Sequence, residues 1–293
     1  MPRIAYVNGR YIPHHAATVH IEDRGLQFAD SVYEVVALMD GYLADEEGHL
    51  DRLERSLAEL KMAMPLPRRS LRIAMREMIR RNRARNGALY MQVTRGAAPR
   101  DFKFPKGVRP TLVMTLRNAT FDISARKKEA KKVMTAPDIR WRRRDIKTTG
   151  LLAQALAKQA ALDAGVSDAW LVDDEGFVTE ASSSNAWIVD AKGNLVTRPT
   201  RNNSILKGVT RSALQALCAE EGVRIVERAF TVAEARKAKE AFMSSAVALI
   251  VPVSHIDGKM IGNGKIGPVT EKIFDLYLQY AQGHRRQRKW NPR

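Results

Sequence analysis

The chain has 293 residues, 45% of them apolar, with 49 Lys or Arg against 32 Asp or Glu and a formal charge of +17. That composition excludes whole-chain disorder and is enough for a real core in one large or two ordinary domains. No apolar run nears the roughly eighteen residues of a membrane span, and the one cysteine, Cys218, excludes an internal disulfide and a cysteine-rich metal cage.

Met1-Pro2-Arg3-Ile4-Ala5-Tyr6 lacks the apolar block of a signal peptide, so a cytoplasmic protein is expected. Residues 4–12 read as a hairpin turning at Asn8-Gly9. A β-rich run at 30–38 turns at Asp40-Gly41 into Tyr42-Leu43. Residues 49–62 read as an amphipathic helix stopped near Pro65 and Pro67, and an arginine-rich helix follows. Two apolar strands are expected at 88–94 and 111–116. Residues 117–124 have no period and are expected to join two domains. β character resumes at 131–135, and 151–164 reads as a helix closed by Gly165. Short strands follow at 169–172, 187–189 and 195–197, then a helix at 210–221, a strand at 241–252 and a final helix at 269–281. The mixture predicts an α/β (α+β mixed) fold with two domains: 1–118, a link at 119–124, 125–283, and a basic tail at 284–293.

The positive charge is concentrated in residues 68–85, 124–145 and the tail, leaving a nearly neutral body with three basic patches. In the first, Arg69, Arg72, Arg76, Arg80 and Arg83 share one helix side, opposite Leu71, Met75 and Met78. No aromatics interleave with these arginines, so a solvated face is favoured over nucleic-acid binding.

Familiar motifs fail on context. Gly262-Asn263-Gly264-Lys265-Ile266-Gly267 matches a dinucleotide loop, but no βαβ unit follows it. The six histidines show no metal spacing, and there is no phosphate loop or G-x-S-x-G elbow. His255 and Cys218 receive no role.

Three segments carry chemistry. Lys147 ends the basic, β-leaning Arg140-Trp141-Arg142-Arg143-Arg144-Asp145-Ile146-Lys147, where neighbouring positive charge favours a nucleophilic amine. Glu180 sits among small and hydroxyl residues in Val178-Thr179-Glu180-Ala181-Ser182-Ser183-Ser184-Asn185, a setting suited to facing a cationic ring nitrogen. Ile205-Leu206-Lys207-Gly208-Val209-Thr210-Arg211 opens a helix whose N–H groups suit a phosphate.

Together with Glu22-Asp23-Arg24-Gly25-Leu26-Gln27-Phe28, Val32-Tyr33-Glu34-Val35, His49-Leu50-Asp51-Arg52-Leu53 and Val93-Thr94-Arg95-Gly96, these segments resemble the fold-type IV pyridoxal-phosphate enzymes. The resemblance runs over about residues 4–280 and is closest to the D-amino-acid aminotransferases. It implies a small N-terminal α/β domain, a larger C-terminal α/β domain with a pseudo-barrel, a homodimer, and pyridoxal 5′-phosphate held covalently by Lys147. Glu180 would keep the ring nitrogen protonated. Arg52, Val209 and Thr210 would bind the phosphate, with Ser183, Leu206 and Ser245 as further cofactor contacts. Tyr33 would stand beside the lysine and the substrate. No metal is implied.

A loop from the neighbouring subunit would bring an arginine, here Arg100, to the substrate carboxylate. Phe102 stands where the family has a histidine, Ala246 and Val247 supply no hydroxyls, and Thr148-Thr149-Gly150 departs from the usual sequence after the lysine. The expected reaction is transamination between D-amino acids and α-keto acids of the D-alanine or D-glutamate type, with 2-oxoglutarate or pyruvate as acceptor. The alternatives are an (R)-amine transaminase, a branched-chain L-aminotransferase, 4-amino-4-deoxychorismate lyase and, outside enzymes, a polyanion-binding protein.

Overall fold

The computed structural model describes residues 3–283, so the basic tail expected at 284–293 lies outside the described residues. The first sheet holds β1 (Ile4–Val7), β2 (Arg10–Pro13), β3 (Ser31–Met39), β4 (Tyr42–Leu43), β5 (Gly87–Thr94) and β6 (Thr111–Asn118). All pairs are antiparallel, in the order β2-β1-β6-β5-β3-β4. Asn8-Gly9 and Asp40-Gly41 both have two positive φ angles, the backbone that a two-residue hairpin needs. Helices α1 (Arg24–Phe28), α2 (Glu46–Glu59) and α3 (Arg68–Arg81) complete this half. Leu50, Leu53 and Leu57 of α2, which lies on β3, and Leu71, Met75 and Met78 of α3, which lies on β1 and β6, are buried in one core with Val32, Val36 and Leu38 of β3. Each such side chain contributes about 1.5–3 kcal/mol.

The second half holds α4 (Ile123–Lys128), β7 (Lys131–Pro137), α5 (Leu152–Asp163), β8 (Asp168–Val172), β9 (Val178–Ala181), β10 (Asn185–Val189), β11 (Leu195–Thr197), α6 (Val209–Glu220), β12 (Ile225–Glu227), α7 (Val232–Arg236), β13 (Glu240–Ser245), β14 (Leu249–Ile256), β15 (Lys259–Met260) and α8 (Pro268–Ala281). Its sheet runs β12-β11-β10-β13-β14-β7-β8-β9, with β15 on β14. The ends of this sheet meet: Val178 N–H donates to Phe230 O at 3.0 Å, and Phe177 bridges Thr231. Trp170, Ile188, Val196, Phe230, Met243 and Val253 fill the interior of the resulting barrel-like curl. Strand β10 alternates, sending Ala186 and Ile188 inward and Trp187 and Val189 outward beneath α6 and α8. Ala37 and Met39 of β3 join that outer core, so the two halves pack against each other.

Several expectations change. Residues 241–252 form two strands, β13 and β14, turning at 246–248, because a hairpin buried on both faces reads as one apolar run. The aperiodic 117–124 contains the end of β6 and the start of α4, which Asp122 caps by accepting from Ala125 N–H. The stretch before Lys147 is irregular rather than a strand, because its charges fold it onto local carboxylates. Among the described residues, many cations of the first two basic patches pair with carboxylates. Arg68, Arg72 and Arg76 pair with Asp51, Glu47 and Glu46 of α2, and Arg80 and Arg81 with Glu77. Lys127 pairs with Asp275, and Arg143 with Asp145 and Glu59.

Candidate active site

A cavity of about 270 Å³ lies where β3 and α2 meet the 140–151 segment, the β9–β10 turn, the start of α6 and the β13–β14 turn. It collects Tyr33, Arg52, Lys147, Glu180, Ser183, Leu206, Val209, Thr210, Ser245 and Ala246, residues drawn from across more than two hundred positions.

Lys147 is fixed through its backbone. Tyr33 N–H donates to Lys147 O at 3.0 Å, and Thr148 bridges Val32, so the segment lies along β3. Ile146 is buried in the first core, and Asp145 accepts from Arg55 and Arg143. The Lys147 amine stands 4.2 Å from the centroid of the Tyr33 ring, which stacks on Tyr90. The positive charge expected around it is mostly spent on carboxylates: Arg140 and Arg144 pair with Asp138, and Arg143 with Asp145.

Glu180 is buried and braced on both oxygens. One accepts from the Arg140 guanidinium and from Leu206 N–H at 3.2 Å; the other accepts from Asn185 Nδ2 at 2.9 Å. Arg140 is itself gripped by Asp138 through Nε and Nη2, at 2.9 and 2.8 Å. Burial pushes the Asp138 carboxyl up, but Arg140 and the Thr179 hydroxyl outweigh it and hold the carboxyl below its ordinary range. Leu206, expected to contact the cofactor, lines the cavity and gives its N–H to Glu180, because the turn before α6 folds over that carboxylate.

Arg52 lies under the start of α6, donating to Lys207 O at 3.1 Å. Its Nε and Nη2 form a bidentate pair with Glu34, both at 2.7 Å, and His49 contacts the same carboxylate at 2.7 Å. Burial alone would raise the Glu34 carboxyl, yet Arg52 and His49 hold it at about 2. Helix α6 begins at Gly208 with no side chain capping it, and a Cβ there would meet Asn185 Oδ1 at 2.1 Å. The Thr210 hydroxyl is engaged behind the helix with Tyr277 OH at 3.2 Å. Tyr277 gives its proton to Asp45, so Thr210 donates to Tyr277 and its N–H is the donor left for an anion.

Ser183 and Ser245 line the cavity, and Ser245 Oγ accepts from Ala248 N–H, which leaves its proton free. Arg100 and Phe102 are not brought to the cavity of their own chain. Phe102 is 79% exposed, its ring 5.6 Å from Phe28, and the Arg100 guanidinium lies 5.3 Å from the Phe28 ring centroid.

Glu34, His49, Asp138, Arg140 and Asn185 were not assigned roles from sequence. For Glu34 a signal existed: it shares the buried face of β3 with Val32 and Val36, and a carboxylate there demands a cationic partner.

The donor set fits pyridoxal phosphate. A helix N-terminus with an arginine beside it suits a dianion. Glu180, held by a cation and two N–H donors, suits a protonated ring nitrogen, and Lys147 supplies an amine for a carbonyl. Fold and site thus define an enzyme that handles amines through a phosphate-bearing carbonyl cofactor. The amino-transferase class IV family model matches residues 31–256, and the chain belongs to that family. It is 38% identical to a D-alanine aminotransferase of Bacillus licheniformis, over 91% of this chain and 93% of that one. A D-alanine aminotransferase of Staphylococcus haemolyticus is 34% identical, over 94% and 97%. Among solved structures, the branched-chain amino acid aminotransferase of Escherichia coli shares the fold, with a TM-score of 0.88 at 24% identity over 99% and 98% of the two chains. The branched-chain amino acid aminotransferase of Thermoproteus uzoniensis, solved with norvaline, matches with a TM-score of 0.85 at 25% identity, over 96% and 95%.

Proposed function

We infer that the chain is a pyridoxal-phosphate-dependent aminotransferase acting on D-amino acids and α-keto acids. The observation that carries the chemistry is the meeting in one cavity of Lys147, the arginine-braced Glu180 and the α6 N-terminus beside Arg52. The relatives at 34–38% identity support the D-amino-acid assignment.

When bound, the cofactor supplies a sink for the electron pair left as the substrate α-proton departs. Arg52 and the Val209 and Thr210 N–H groups hold the phosphate, and Glu34 keeps Arg52 in place. Glu180 holds a proton at the ring nitrogen. Lys147 would hold the cofactor through its amine, and that amine is the group placed to move the proton at the substrate Cα. Tyr33 positions the amine, and Ser183, Ser245 and Ala246 shape the walls.

The reading extends to a homodimer in which Arg100 and Phe102 serve the neighbouring site. Their exposure beside Phe104, 55% exposed, supports it. Domains spanning 1–118 and 125–283 and a cytoplasmic location are part of the same proposal. Among the described residues, no helix is long and apolar enough to cross a membrane.

Borohydride reduction followed by peptide mass analysis tests the assignment. It should place a phosphopyridoxyl group on the peptide carrying Lys147, and Lys147→Ala should lose both the label and turnover. An active alanine variant contradicts the assignment.

A further inference from the structure

Three arginines line the cavity, and two of them are gripped through Nε and Nη2 by a carboxylate. Arg52 is held by Glu34 and the Lys207 carbonyl, and Arg140 by Asp138 and Glu180. Arg144 is different. Its side chain is 16% exposed and its Nε lies 3.2 Å from Asp138 Oδ2, yet that nitrogen is buried without a hydrogen bond. No described residue accepts from its terminal amino groups. Asp138 is already occupied by Nε and Nη2 of Arg140 and by the Thr179 hydroxyl. Its Nε is turned to Asp138, and its terminal amino groups are left open to an acceptor in the cavity.

The local charge points to the same kind of partner. Arg140 and Arg144 balance Asp138 and Glu180, so a cationic ring nitrogen at Glu180 leaves this wall with one positive charge in excess. A planar guanidinium with a free edge matches a carboxylate.

We propose that Arg144 binds a carboxylate of the amino-acid and keto-acid substrates from within the same chain. This rests on the aminotransferase reading and adds a cation at a site where Phe102 replaces the family histidine.

The test compares wild type, Arg144→Met and Arg144→Lys in the holoenzyme, with D-alanine and D-glutamate as donors and with calorimetric titration of glutarate. Arg144→Met should raise KM and weaken glutarate binding by about 10- to 100-fold, while visible absorbance and cofactor retention stay as in wild type. Arg144→Lys should fall between them. A rise for both donors assigns the α-carboxylate, and a rise for D-glutamate alone assigns the side-chain carboxylate. Unchanged KM and glutarate affinity overturn the proposal. So does a changed absorbance band with KM values equal to wild type, which would make Arg144 a cofactor contact. If wild type retains the cofactor but turns over neither donor, the aminotransferase reading fails, and the glutarate titration still tests Arg144. If the methionine variant does not fold, the lysine variant carries the same comparison.

Discussion

Two helices of the second half start at a glycine, and their N-termini have opposite fates. At α8, Glu240 accepts from Val269 and Thr270 N–H at 3.0 and 2.7 Å, so the protein's own carboxylate satisfies the helix dipole. At α6 no side chain caps the helix, Arg52 lies beside it, and the cavity adjoins it. Both glycines are needed for close approach. A Cβ at Gly267 would lie 2.2 Å from Glu240 Cδ, and one at Gly208 would lie 2.1 Å from Asn185 Oδ1. A helix end closed by an internal carboxylate is structural; an end left to an arginine and a cavity is, on the proposed reading, the one that receives an anion from outside.

The largest break in this comparison is Gly208→Val. The added side chain meets Asn185, which also braces Glu180, so affinity for pyridoxal phosphate should fall about 100-fold or more, read by titration of the visible band. Retention of wild-type affinity would place the phosphate elsewhere.

Glu34→Gln comes next, because it removes the partner of a buried arginine. It should weaken the cofactor about tenfold and cost about 3 kcal/mol of stability in denaturant unfolding. The same pair sets an acid limit. The Glu34 carboxyl falls from 4.5 to about 2 on folding. Its contribution is therefore complete above about pH 4.5 and fades as pH drops toward 2, by about 3 kcal/mol in total. Glu34→Gln should flatten that part of the stability profile, and an unchanged profile would remove Glu34 as its source.

The smallest effect sharpens the contrast from the other side. Glu240→Gln at α8 should lower stability by about 1 kcal/mol and leave cofactor affinity within about twofold. A larger loss of affinity would mean that the two helix ends are not separate in function.

The same contrast shows what was legible in the sequence. The glycine-rich run 262–267 had the better-known pattern, yet it leads to the closed end. The less conspicuous Lys207-Gly208-Val209-Thr210 leads to the open one. Lys147, Glu180 and Arg52 were legible because each sits in a short, characteristic segment. Their braces were not. Glu34 reaches Arg52 across 18 positions, and Arg140 reaches Glu180 across 40. Only the folded sheets bring those charges together. Strand β9 escaped notice because four residues carrying a hydroxyl and a carboxylate look like a turn until both faces prove buried. The first basic patch read as surface charge because its carboxylate partners on α2 come from a separate helix.

The most direct test of the central claim is a visible absorbance scan of the purified protein with pyridoxal phosphate, before and after separate additions of D-alanine and L-leucine. The account predicts a bound-cofactor band that D-alanine bleaches and L-leucine leaves in place. A protein that stays colourless, or a band that only L-leucine bleaches, would contradict it.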